Sequence, residues 1–402
     1  MTTETKVLAI PFHRASLGEE EVHAVSEVIR NGWLTMGPRT FEFEEQFARY
    51  VGARHAIAVS TGTAALHLSL EAAGLGPGDE VIVPTTTFTA TAEAVTYLGA
   101  RPVLADIDPV TMNLDPEEVA RRITSNTRAV IPVHLGGLPC DMAAILDVAA
   151  KHDLRVIEDA AHALPSEYGG KRIGAIGEFT CFSFYATKTL TTGEGGMITT
   201  NNDVAAERMR LMRLHGIERD AWKRYRGDGS WYYEVLEAGF KYNFTDLQAA
   251  LGIVQLAKCD AMKESRRRIA ERYSRAFAGD DALETPAVCA GRESSWHLYI
   301  LRLRLDGLSV ERSGFTERLR KKGVGCSVHF IPLHLHPLYQ RAYGYRAGDF
   351  PRAEAEYARC LSLPIYPDLS GEEVEHVIAA VQETVAESRR EHLSVAHAST
   401  RR

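Results

Sequence analysis

The chain has 402 residues, with 46 Lys plus Arg against 53 Asp plus Glu and a formal charge of −7; no basic run offsets that balance, so neither a nucleic acid nor an acidic membrane surface is expected as a partner. At 45% hydrophobic and 25% charged residues, the composition is that of a globular protein with a large core and room for two domains, not of a collagen, a disordered chain or a disulfide scaffold. Cys140, Cys181, Cys259, Cys289, Cys326 and Cys360 are scattered without a close pair, so they read as reduced thiols of a cytoplasmic protein rather than as a zinc knuckle or a redox pair.

The opening MTTETKVLAIPFHRAS lacks a basic stretch followed by a long apolar segment, and no uncharged apolar run approaches the ~20 residues a membrane span needs, so neither export nor insertion is expected. From about residue 55 to 200 the β-branched runs HAIAVS, EVIVP, RPVLADID, RAVIPVH, LRVIEDA, FTCFSF and GMITT alternate with amphipathic stretches such as TAALHLSLEAAGL, TATAEAVTYLG and MAAILDVAAKH. That rhythm predicts an α/β fold with a mainly parallel sheet and helices on both faces. After Asn243, Thr245 and Gln248 have capping-box spacing, and Leu247, Leu251 and Val254 share one helical face. A basic helical segment, AMKESRRRIAERYSRAF, follows.

Beyond about residue 290 the strand-like WHLYILRLRL and GVGCSVHF are interleaved with helices expected around 310–322, 351–361 and 371–388. The expected organisation is a large α/β domain with an N-terminal arm over 1–260, a smaller α+β domain over 261–388 and a flexible tail over 389–402.

In a parallel α/β sheet, ligands collect beyond the carboxyl ends of the strands, so the informative residues are those that follow each run. Ser60-Thr61-Gly62-Thr63-Ala64 opens a helix, where free amides and the helix dipole favour an anion. Taken alone this is more often a simple N-cap, and it matches neither the P-loop nor GxGxxG. Asp159 ends an apolar strand with His162 three residues on, a pattern that also fits a capping Asp and a satisfied His. Lys188 lies between an aromatic strand and a Gly-rich turn in an otherwise uncharged stretch, where its surroundings would depress its pKa, although exposed loop lysines are commoner. The conjunction is informative: a phosphate cradle, a strand-end carboxylate for a pyridine nitrogen and a lysine for a Schiff base are the parts pyridoxal phosphate (PLP) requires.

GWLTMGP, VSTGTAALHLSL, GDEVIVPTTTFTAT, VIPVHLGG, VIEDAAHA, FSFYATKTLTTGEGG, KYNFTDLQAALG and VHFIPLH occur in this order. Together they resemble the DegT/DnrJ/EryC1/StrS family of PLP-dependent sugar aminotransferases, over about Phe12 to Gln382. The resemblance implies aminotransferase fold type I. It implies that Lys188 holds the cofactor covalently and that Asp159 pairs with the pyridinium nitrogen, with His162 near the ring hydroxyl. Phe88 would lie against the ring face, and Gly62, Thr63, Ala64 and Ser183 would hold the phosphate. Asn243 would reach the phosphate in the neighbouring subunit, which implies a homodimer with shared active sites. Family members with His at the lysine position are dehydratases, so Lys188 implies amino transfer; Tyr185 replaces a His common in relatives.

The same resemblance implies a nucleotide-linked keto-sugar as acceptor and L-glutamate as donor. Thr-Asp after the asparagine motif resembles the C4 group more than C3 enzymes, which implies a TDP-linked 4-keto-6-deoxyhexose, with a UDP-linked or 3-keto sugar as alternatives and a cofactor-binding regulator as a further one. Trp33, Thr35, Met36 and His329 align with segments that face the sugar nucleotide in relatives. His329, His334 and His336 lack a Cys or carboxylate companion, so no metal is expected. The aromatic and basic stretch 220–240 has nearly balanced charge and reads as a flap over the neighbour's site, with Arg226 or Lys241 near the diphosphate.

Overall fold

The computed structural model describes residues 8–218 and 232–390; Arg226 and most of the expected tail lie outside them. The seven runs form strands β1 His55–Val59, β2 Glu80–Pro84, β3 Arg101–Ala105, β4 Thr127–Val130, β5 Arg155–Asp159, β6 Phe179–Ser183 and β7 Gly196–Thr200. They build one sheet in the order β1-β7-β6-β5-β4-β2-β3. Only β7 runs antiparallel to its neighbours, β1 and β6; the pairs from β6 to β3 are parallel.

Both faces of the sheet are covered, and β1 shows how. Ile57 and Val59 pack with Leu66 and Leu70 in one core, while the alternate residues Ala56 and Ala58 pack with Phe43 and Phe47 in another. A strand's side chains alternate between faces, so two cores on alternate residues mean two covered faces and a near-continuous apolar run.

The expected helices form at Gly62–Ala72, Ala90–Thr96 and Met142–Lys151. The two helical segments after Asn243 are one helix, Asp246–Phe277 of 32 residues, opened by the Thr245/Gln248 capping box. No proline interrupts it, and Gly252 lets it lie against the Phe43 ring, where a Cβ would come within 2.7 Å. This helix passes through position 260/261, the expected boundary between domains. Its Leu247, Leu251 and Val254 are only half-buried, whereas Ala249, Ala250 and Leu256 are buried.

The C-terminal part has its own core, in which Tyr273, Phe277, Tyr299, Leu301, Phe315 and Val377 meet. Its sheet comprises β8 Leu283–Glu284, β9 Tyr299–Leu303 and β10 Cys360–Leu363, all antiparallel. The helices are Arg312–Lys321, Pro351–Arg359 and Gly371–Ser388. GVGCSVHF is not a strand of this sheet. Its backbone meets the sheet at a single bridge, Ser327 with Ser362 of β10, and pairs on its N-terminal side with the N-terminal segment, Ile10 N–H donating to Gly323 O and Gly325 N–H to Ile10 O. Gly325 permits this approach, since a Cβ there would meet Phe12 N at 2.7 Å. Among the described residues no helix is long and apolar enough to cross a membrane.

Candidate active site

The parallel strands bring their carboxyl ends to one edge of the sheet, and a cavity of about 520 Å³ opens there. Gly62, Thr63, Phe88, Asp159, His162, Ser183, Lys188 and His329 all line it. These residues come from five separate strand ends or turns and the C-terminal part.

At the end of β1, Thr61 caps the helix Gly62–Ala72 by accepting the Ala64 N–H at 3.0 Å. This leaves the Gly62 and Thr63 end of the helix facing the cavity, a favourable place for an anion. Gly62 is required by close approach: a Cβ there would meet Ser183 Cβ at 2.9 Å. Ala64, expected to share in this cradle, is buried with its amide committed to Thr61 and does not line the cavity.

Asp159 ends β5 and is 6% exposed. Thr91 Oγ1 donates to its Oδ2 at 2.7 Å and the Ala161 N–H to its Oδ1 at 3.1 Å. The two donors fix this buried carboxylate in direction. His162 accepts the Gly136 N–H on Nδ1 at 3.2 Å, so its neutral form carries the proton on Nε2.

Lys188 sits in a turn after β6, its N–H donating to Tyr185 O at 2.9 Å. The flanking threonines hold this turn. Thr189 Oγ1 donates to Leu164 O at 2.5 Å, Thr191 Oγ1 to Phe184 O at 3.2 Å and Thr192 Oγ1 to Glu194 O at 2.7 Å. Burial lowers the Lys188 ammonium to about 8, with Asp159 opposing the shift. Burial and the Lys188 charge lower His329 to about 4, and burial first, then Lys188, puts His162 far below its usual range. His329 Nδ1 is 2.9 Å from Ser362 Oγ on β10.

Phe88 lies at the cavity mouth, 59% exposed, 6.0 Å from the Phe330 ring centre. Besides Ala64, four expected residues do not line the cavity. Trp33 Nε1 donates to Met36 O, and Thr35 O accepts the Asp246 N–H, so their segment is tied to the helix Asp246–Phe277. Met36 is buried and lines a different cavity with Phe41, Glu44 and Arg213. Asn243 bridges Val59 in the backbone, and its side chain is close to Phe244 O. His334 is engaged by the Thr85 hydroxyl and Glu354, well apart in role from His329.

Three contributors were invisible in the sequence. Thr91 comes from a helix, and His297 and Phe330 from the C-terminal part. His297 packs 4.4 Å from the His162 ring centre. Nothing in the run WHLYIL marks its His as different from a core histidine.

Chemically, the cavity offers an amine whose pKa is lowered to about 8, a fixed carboxylate, neutral imidazoles and a helix start suited to an anion. That set supports proton transfer on a carbonyl-derived compound anchored by a phosphate.

A family model described as the DegT/DnrJ/EryC1/StrS aminotransferase family matches residues 15–382. The chain is 49% identical over 377 residues to the spore coat polysaccharide biosynthesis protein SpsC of Bacillus subtilis, covering 94% of this chain and 97% of that one. A Streptococcus pneumoniae protein assigned as a sugar aminotransferase, solved in its PLP form, superposes with a TM-score of 0.88 at 34% identity, covering 94% and 99% of the two chains. PseC of Helicobacter pylori, an aminotransferase involved in the biosynthesis of pseudoaminic acid, superposes at 0.88 with 29% identity, covering 94% and 100%.

Proposed function

This chain belongs to the DegT/DnrJ/EryC1/StrS aminotransferase family, and on that premise we propose that it is a PLP-dependent sugar aminotransferase that transfers the amino group of L-glutamate to a nucleotide-linked 4-keto-6-deoxyhexose. The preferred acceptor is TDP-4-keto-6-deoxy-D-glucose, giving a TDP-4-amino-4,6-dideoxy sugar and 2-oxoglutarate. The observation that carries this reading is the convergence of Lys188, Asp159, His162 and the Gly62/Ser183 cradle on one cavity.

The residues fit the cofactor. The Gly62–Ser183 approach at the helix start leaves no room for a side chain and suits a phosphate, and Asp159 is a fixed carboxylate for a protonated ring nitrogen. When bound, PLP supplies an electron sink for the carbanion left by loss of an α-proton. Gly62, Thr63 and Ser183 would bind its phosphate, and Asp159 would keep the ring nitrogen protonated by a charged hydrogen bond contributing roughly 1.5 to 3 kcal/mol. Lys188 Nζ would hold the cofactor covalently and, when free, would move a proton from the donor's α-carbon to the other side of the transfer. With a pKa near 8, Nζ alternates between proton acceptor and donor at modest cost. Phe88, at the cavity mouth, would lie against the ring face, and His329 would face the sugar nucleotide.

The expected homodimer accounts for the residues outside this cavity. Asn243, Trp33 and Thr35 would act in the partner's site, and the half-buried face of Leu247, Leu251 and Val254 is the apolar surface a second copy would cover. The C4 preference rests on the Thr-Asp that follows Asn243. The test is to supply the PLP-loaded protein with L-glutamate and, in parallel, TDP- and UDP-linked 4-keto and 3-keto sugars. The reading expects 2-oxoglutarate and an amino sugar by mass, fastest with the TDP-linked 4-keto substrate; glutamate turnover that stays independent of every sugar would overturn it.

A further inference from the structure

His297 has a role the reaction as described does not use. It sits just before β9, is 6% exposed and lines the same cavity as Lys188. Its Nδ1 is sealed from solvent with no hydrogen-bond partner, and its Nε2 makes no hydrogen bond with any described residue. A buried N–H without a partner is costlier than a buried lone pair without one. The favoured neutral tautomer therefore carries its proton on Nε2, at the edge of the ring left to the cavity.

The surroundings select what that N–H would meet. Burial first, then the neighbouring His162, Lys188, Arg266 and His329, keeps His297 itself neutral. Asp159, the buried carboxylate of the cavity, is already held by Thr91 and Ala161. Among the described residues of this chain no arginine lines the cavity. An unpartnered N–H facing the cavity that also holds the Lys188 amine is a place for an anionic oxygen.

We propose that His297 donates from Nε2 to the α-carboxylate of the amino donor. The proposal rests on the aminotransferase reading above. An amino acid brings a carboxylate one carbon away from the amine that must reach Lys188, whereas a keto-sugar offers only neutral hydroxyls at its reacting end. His162 and His329 are each oriented by an Nδ1 contact, to Gly136 and Ser362; His297 is the cavity imidazole with both nitrogens free of described protein partners.

The test uses the PLP-loaded protein and α-methyl-L-glutamate, which carries the carboxylate but has no α-proton to lose. Its Kd is measured for wild type, His297→Gln, His297→Asn and His297→Leu, together with KM for the keto-sugar. Glutamine places its amide near the position of Nε2, asparagine near that of Nδ1. The proposal expects Kd to rise about tenfold or more in the Leu and Asn variants, to stay close to wild type in the Gln variant, and KM for the sugar to hold throughout. Equal Kd in all four proteins, a Gln variant as weak as Leu, or a change confined to the sugar's KM would overturn it. A wild type that holds PLP yet does not bind the probe would overturn both this proposal and the glutamate-donor reading, so the two failures are distinguishable.

Discussion

Thr91 Oγ1 donates a 2.7 Å hydrogen bond to Oδ2 of Asp159, joining a helix after β2 to the carboxylate that ends β5. The bond directs one oxygen of Asp159, leaving its other contact to the Ala161 amide. Thr91→Val keeps the shape and removes the donor, and activity should fall about tenfold or more, the value of a hydrogen bond to a charged group. Thr91→Ser should retain most of it. Steady-state kcat of the three proteins checks this; a Val variant with wild-type kcat contradicts it.

Lys188 must be neutral to react with an aldehyde. Its pKa of about 8 predicts that the rate at which the cofactor-free protein captures PLP rises with pH, with a midpoint near 8, and levels above it. Asp159 raises that pKa, so Asp159→Asn should move the midpoint lower. Stopped-flow absorbance across pH 6 to 10, a range set roughly two units around that midpoint, measures both. A midpoint at the ordinary lysine value, or a shift upward in the variant, would contradict the assignment.

Gly62→Ala inserts a Cβ that would lie 2.9 Å from Ser183 Cβ. Crowding of this kind costs about 1 to 3 kcal/mol, and here it falls where the phosphate is held, so Kd for PLP should rise roughly tenfold or more. Ser183→Gly combined with Gly62→Ala relieves the clash but loses the hydroxyl, and should recover only part of the affinity. Equilibrium titration with PLP distinguishes these outcomes; unchanged affinity in Gly62→Ala removes the cradle.

His13 and His329 are lowered to about 4, and His162 and His297 lie well below 6.5. Burial is the first cause in each. As pH falls from 6.5 toward 4 the unfolded chain takes up protons that the folded chain refuses, so stability is fully present above 6.5 and is lost on acidification. The urea midpoint should decline through this window, less steeply in His13→Gln. A variant slope identical to wild type would show that His13 contributes nothing to it.

The sheet was legible because seven β-branched runs recur with helical stretches between them, and a parallel sheet buried on both faces leaves that signal. Lys188 and Asp159 stood out through their place just after strands. Thr91, His297 and Phe330 did not, because their roles arise from packing between distant parts of the chain: Thr91 meets Asp159 only through the fold, and His297 belongs to a different core segment. GVGCSVHF misled because its apolar pattern suits a strand, while its glycines serve contact with Ile10 and Phe12. The helix Asp246–Phe277 read as two pieces because its composition changes from apolar to basic midway, although nothing breaks its backbone.

The central claim is that Lys188 carries out the amino transfer, and a single-turnover comparison tests it most directly. Wild type and Lys188→Ala are loaded with pyridoxamine phosphate and mixed with TDP-4-keto-6-deoxyglucose in the absence of glutamate, and the amino sugar is quantified by mass. The account predicts one equivalent of amino sugar from wild type and a rate lower by at least ~10² to 10⁴-fold in Lys188→Ala, the loss of its general acid/base. Near-normal formation of amino sugar by Lys188→Ala would contradict it.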